Sequence, residues 1–171
     1  PTLNEGVLFY MPTTLPGLSV TKAAELLQTQ NKIIKSFPEV ETVFGKAGRA
    51  SSATDPAPTE MIETIINLKP KEDWRPGVTV DSLIAEMDTS LQFPGVSNAW
   101  TMPIQARIDM LSTGIRTPVG VKVFGPDLRV IEGLGRDIER ALRTMPSTSS
   151  AFSERVISGY YLEIVPDREQ L

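Results

Sequence analysis

The chain has 171 residues, 40% of them apolar and 22% charged, with a net charge of −4. That suits one globular domain or two small ones, and the acidic balance, with no basic stripe, argues against nucleic acid as a partner. With no cysteine and no histidine, zinc and iron sites of the usual kind lack thiolate and imidazole ligands, and Ser–His or Cys–His nucleophilic chemistry is excluded.

The chain opens Pro1-Thr2-Leu3-Asn4-Glu5-Gly6, with neither the basic nor the apolar region of a signal peptide. Lacking an initiating methionine, it reads as a segment of something longer. Residues 6–11 form a short apolar, aromatic run of strand type, ended by Met11-Pro12. Leu15-Pro16-Gly17-Leu18 is a turn and Ser19 an N-cap. Val20, Ala23, Leu26, Leu27, Ile33, Ile34 and Phe37 then recur at helical spacing until Pro38. Residues 40–45 read as a second strand. Residues 46–60 are a polar, broken loop, long enough to suggest a function. Residues 61–68 are a third strand. Thr79 caps a second helix with Val80, Leu83, Ile84, Met87 and Leu91 on one face, ended by Pro94-Gly95. Residues 96–102 are the fourth strand. No apolar run approaches the roughly 18 residues of a membrane span.

This order, strand–helix–strand–strand–helix–strand, predicts an α+β fold: a ferredoxin-like split βαβ unit with two helices on one face of an antiparallel sheet. It then begins again, with a strand at 118–125, a helix at 127–144 and strands at 151–157 and 160–165. We therefore expect a complete unit over 1–105, a connecting turn over 106–117 and the first half of a second unit over 118–171. The connecting turn packs Arg107, Asp109 and Met110 into four positions before Ser112-Thr113-Gly114. As one or two helical turns, it sets Arg107 and Met110 on one face.

The soft donors of the chain are Met11, Met61, Met87, Met102, Met110 and Met145. A thioether is a neutral, soft ligand that prefers Cu(I) or Ag(I) to harder ions. Met11 ends strand one and Met61 starts strand three. These are the central, antiparallel pair of such a unit, so the two positions lie side by side, with Met110 on the closing turn. The ordinary alternative is that methionines fill core gaps; it is preferred for Met87 and Met145, on or beside apolar helix faces, and Met102 is left open.

Leu3-Asn4-Glu5-Gly6 leading to Tyr10-Met11-Pro12, then Leu15-Pro16-Gly17, Val43-Phe44-Gly45-Lys46, Leu68-Lys69-Pro70, Trp74-Arg75-Pro76-Gly77 and the run from Arg107-Ile108-Asp109-Met110 to Leu111-Ser112-Thr113-Gly114-Ile115 carry a resemblance. Together they resemble the periplasmic part of heavy-metal efflux transporters of the resistance–nodulation–division superfamily, over essentially the whole chain. Within it the chain is similar to the silver/copper branch, whose three site methionines fall on Met11, Met61 and Met110; the cobalt–zinc–cadmium branch is expected to lack the set.

The resemblance implies a trimeric, proton-driven pump of the bacterial inner membrane, working with a periplasmic adaptor and an outer-membrane channel. It implies that this chain is a porter subdomain and half of the next, with Ag(I) or Cu(I) as transported ion and no covalent chemistry. Arg107 stands beside the site in this reading and would weaken retention of a cation by Coulomb repulsion. Glu5, Asp55 and Glu63 would draw a cation toward the cleft, Glu63 with the best geometry, two residues after Met61 on the same strand face. Solvated surface charge is the plain alternative for these three, and a capped, paired turn for Arg107 and Asp109. The rival function is a structural module contacting trimer neighbours or the adaptor. A carboxylate enzyme built on Asp55, Glu60 and Glu63 lacks an accompanying base or cofactor loop.

Overall fold

The computed structural model describes residues 5–49, 57–114, 119–148, 151–154 and 165–169, apart from the side chains of Met110 and Thr113. The first half begins with β1 (Val7–Tyr10), β2 (Thr13–Thr14), α1 (Val20–Lys35), β3 (Val40–Ala47) and β4 (Ile62–Leu68). It continues with α2 (Val80–Ser90), β5 (Val96–Ser97) and β6 (Trp100–Thr101). The main sheet has the order β3-β4-β1-β6, and its three pairings are antiparallel. This is the expected α+β arrangement, with the first and third long strands, β1 and β4, side by side at the centre.

The helices start where local chemistry sets them. Ser19 accepts the Lys22 N–H at 3.2 Å, and Thr79 and Ser82 form a reciprocal capping box, each satisfying N–H groups that a helix start leaves without partners. Both helices then cover one sheet face. Leu8, Tyr10 and Ile66 from the strands meet Ile34 of α1 and Leu83, Met87 and Leu91 next to or within α2. Gly45 lets α1 approach closely: a Cβ there would meet Leu27 Cδ1 and Thr64 Oγ1 at 2.6 Å.

The fourth strand expected over 96–102 is split into β5 and β6. β6 pairs with β1 and β5 with β2 in one unbroken register, so the two pieces are one ribbon. The interruption falls at Pro12, which has no N–H to give the ladder. The Met11 N–H still reaches Ala99 O at 2.8 Å.

The loop after β4 is held by a buried carboxylate. Glu39, fully buried, accepts Arg75 Nε at 2.5 Å and Nη2 at 3.2 Å, while Arg75 Nη2 also reaches Glu86 at 2.9 Å. The hydrogen bonds from Arg75 hold the Glu39 carboxyl below its ordinary value of 4.5, against the opposing effect of burial. A depressed carboxyl contributes stability that is complete above its unfolded pKa and lost as pH falls through the lower folded one. Glu39→Gln should therefore cost about 1–2 kcal/mol at neutral pH, discounted because Arg75 stays partly exposed. It should also flatten the acid limb of the stability curve. Urea midpoints measured from neutral pH down to about pH 3 would check it; an unchanged acid limb contradicts the assignment.

The segment expected to be a short turn is a helix of three turns, α3 (Pro103–Thr113). Its start is fixed by Glu5, whose carboxylate accepts the Ile104 N–H at 3.0 Å and the Gln105 N–H at 3.2 Å. A carboxylate at a helix N-terminus both satisfies free N–H groups and meets the positive end of the dipole.

Beyond it the expected helix is present as α4 (Leu128–Arg143), capped by Asp127. The strand expected over 118–125 is not formed at 119–125. A strand requires a neighbouring ladder for its N–H and C=O groups, and no described strand pairs there. Residues 151–154 likewise carry no strand. They return along α4, Ser153 N–H meeting Glu139 at 3.0 Å and Arg143 Nε meeting Ala151 O at 3.1 Å. The remaining positions of the two last expected strands lie outside the described residues, except Val165, which carries none. Met145, expected in a core, is 49% exposed, because no described sheet covers the apolar side of α4; Leu128 and Leu134 are exposed with it.

Candidate metal-ion site on the open face of the sheet

The face opposite α1 and α2 is built from the odd positions of β1 and β4. Phe9 pairs with Ile65, which pairs with Phe44. Phe44, 73% exposed, marks this face as the one the two helices leave open.

The same register runs past the end of β1. Tyr10 pairs with Thr64 and Thr13 with Met61, which sets Met11 across from Glu63. The Ile62 N–H to Pro12 O bond, 3.1 Å, confirms that no residue is inserted between. Met11, Glu63 and Met61 therefore share the open face, since side chains alternate along a strand. Met11 and Met61 are diagonal neighbours, with Cα atoms about 7–8 Å apart in such a pair, within reach of long side chains. Met11 is only 2% exposed, whereas Met61 and Glu63 are half-buried.

Behind Met11 the backbone is held stiffly. The Tyr10 ring stacks on Trp100 with centroids 4.4 Å apart. Its hydroxyl donates to Asn98 Oδ1 at 2.7 Å and accepts from Gln30 Nε2 at 3.2 Å. Asp88 accepts from Asn98 Nδ2 and from Trp100 Nε1. Burial, with the charge of Asp88 added, pushes the Tyr10 phenol well above its ordinary range, so it stays a neutral donor.

The backbone of Met110 lies in α3, which packs against β1. Arg107 is exposed on that helix and Asp109 is buried. Asp109 accepts Gln105 Nε2 at 2.9 Å one turn earlier. Of the acidic groups expected to draw cations, Glu63 stands beside Met11. Glu5 serves as the cap of α3, and Asp55 lies outside the described residues. Met87 is wholly buried in the core, and Met102 packs against that core as well. Among the described residues no group of three or more Asp, Glu, His or Cys side chains could hold a metal ion.

Sequence reasoning missed Lys46. It pairs with Glu63 across β3 and β4, and its Nζ lies 3.0 Å from Glu63 Oε2. Reading β3 through residues 46 and 47 rather than ending it at 45 would have found it.

The model of the AcrB/AcrD/AcrF family matches residues 1–171. The chain belongs to that family. It is 51% identical over 170 residues to the cation efflux system protein CusA of Escherichia coli strain K12, and 52% to the putative cation efflux system protein SilA of Salmonella typhimurium. Each alignment covers 99% of this chain and 16% of the relative, so the chain spans about a sixth of those proteins. The crystal structure of a heavy metal efflux pump superposes with a TM-score of 0.81 at 31% identity, covering 85% of this chain and 15% of that one. The resemblance drawn from the motifs is thus met, at the level of the family and of its heavy-metal efflux members. No described helix is long and apolar enough to cross a membrane.

Proposed function

We propose that this member of the AcrB/AcrD/AcrF family is the periplasmic metal-binding part of a proton-driven Cu(I)/Ag(I) efflux pump of the inner membrane. It holds the monovalent ion transiently through the thioethers of Met11, Met61 and Met110. It does no covalent chemistry. The parent is a homotrimer served by a periplasmic adaptor and an outer-membrane channel. Residues 1–105 are one porter subdomain, 106–117 carry the third ligand, and 118–171 begin the next subdomain. The observation that supports this most is the strand register. It sets Met11 and Met61 on one sheet face as diagonal neighbours, with Glu63 across from Met11, in a chain without histidine or cysteine. Neutral thioethers suit a soft univalent cation and are poor ligands for a hard divalent one. Arg107 on α3 would favour release by repulsion. The second reading, a docking module for trimer or adaptor contacts, has in its favour the exposed Phe44 and Ile65 beside the site.

The test is an Ag(I) titration followed by the methionine methyl signals at about pH 7.5 and again at about 5.5, in nitrate buffer. Selective shifts of three methyls, with nearly equal affinity at both pH values, are expected. A thioether has no proton to lose in this range, whereas thiolate and imidazole sites release metal as pH falls. Six equal shifts or none would favour the docking module. A tenfold loss between the two pH values would show a titrating ligand instead.

A further inference from the structure

Glu63 is not an open carboxylate waiting for a cation; it already has one. Lys46 Nζ lies 3.0 Å from Glu63 Oε2, with the two side chains 34% and 23% exposed. Lys46 pairs with Glu63 across β3 and β4, and the β1 register carried one residue past its end sets Met11 on the far side of Glu63, with Met61 following on the same face. An ammonium that close cancels the charge that would attract a second cation. Lysine is suited to giving way, since its charge is a compact point on a flexible four-carbon stem that is easily rehydrated. The pair is partly exposed, so neither charge is locked in by burial.

We propose that Lys46 is the resident counter-ion of the site, a group that sets affinity by competing with the transported ion for Glu63. With the ion absent, Lys46 holds Glu63. When a univalent soft cation reaches Met11 and Met61, the ammonium swings out to solvent and Glu63 faces the bound ion. When Lys46 returns, it neutralises Glu63 again and the ion is released. The net charge of the loaded and empty clusters is then the same, so loading leaves no uncompensated charge beside the sheet. This rests on the thioether reading above, and it assigns to Lys46 a role distinct from the ligands.

The test is a double-mutant cycle of Ag(I) affinity, by competition, on the wild-type chain, Lys46→Gln, Glu63→Gln and the double variant, with Met61→Ile as control. Lys46→Gln should tighten binding about tenfold and Glu63→Gln should weaken it. With Glu63 already replaced, Lys46→Gln should change affinity less than about twofold, because there is no longer a shared partner to compete for. Tightening by the same factor in both backgrounds would mean that Lys46 only repels through space, and would overturn the exchange. Equal affinity of Lys46→Gln and wild type, with binding lost in Met61→Ile, would overturn the role of Lys46 alone. No Ag(I) binding by wild type, or unaltered binding by Met61→Ile, would overturn the thioether reading and this proposal with it.

Discussion

Met61→Ile, and separately Met11→Ile, should lower Ag(I) affinity by roughly 100-fold or more while the chain keeps its fold. Residues merely supporting a metal ligand are commonly worth about 10–100-fold, and isoleucine offers no donor atom at all. The structural cost is small by comparison. Both positions lie on strands or strand extensions, where a β-branched side chain fits the pleated surface. Hydrophobic swaps of similar volume usually cost less than about 1.5 kcal/mol. Met11, only 2% exposed, should show the larger of the two losses in stability. Competition titration beside a thermal melt separates the two effects. Ag(I) binding by Met61→Ile at the strength of the parent chain would end the thioether model.

Met87→Ala should do the reverse. Met87 is wholly buried among Leu83, Leu91, Ile34 and Leu8 on the helix side of the sheet, and the sheet separates it from the methionines of the open face. Truncating a buried methionine to alanine removes its transfer energy and leaves a cavity that close-packed neighbours fill only in part, at about 2–5 kcal/mol. We expect about 3 kcal/mol here, read as a lowered urea midpoint at unchanged m-value, with Ag(I) affinity within about twofold of the parent chain. A large loss of affinity at intact stability would mean that the core methionine is a ligand. Together, the two substitutions assign the methionines to separate tasks.

Much of the first unit was legible because its signals are local. Ser19 and Thr79 cap α1 and α2 with their own side chains, and Pro38 follows the end of α1. The alternation in β4 is regular, with Ile62, Thr64 and Ile66 buried. The failures were of another kind. Residues 96–102 read as one continuous strand because no proline or glycine lies within them; the interruption comes from Pro12, on the strand opposite. The start of α3 at Pro103 has no local signal because its cap is Glu5, about 100 positions away along the chain. Residues 119–125 have the composition of a strand, yet a strand exists only where another chain segment meets its hydrogen-bonding groups.

The sequence by itself determined which side-chain donors this chain can offer a soft ion: six thioethers and its carboxylates, with neither histidine nor cysteine. It also determined which stretches fold as helices in the first unit, since capping and helical periodicity act within a few residues. Only the tertiary structure decided that Glu63 stands across from Met11, that Lys46 holds Glu63, and that Glu5 is spent on starting α3. These depend on register, the alignment of strands some 50 residues apart. A slip of one position would have sent Met11, Glu63 and Met61 into the helix-covered core. What prevents that slip is the burial of Leu8, Tyr10, Ile62 and Ile66 on the opposite face, so the packing of one side of the sheet places Met11, Glu63 and Met61 on the other.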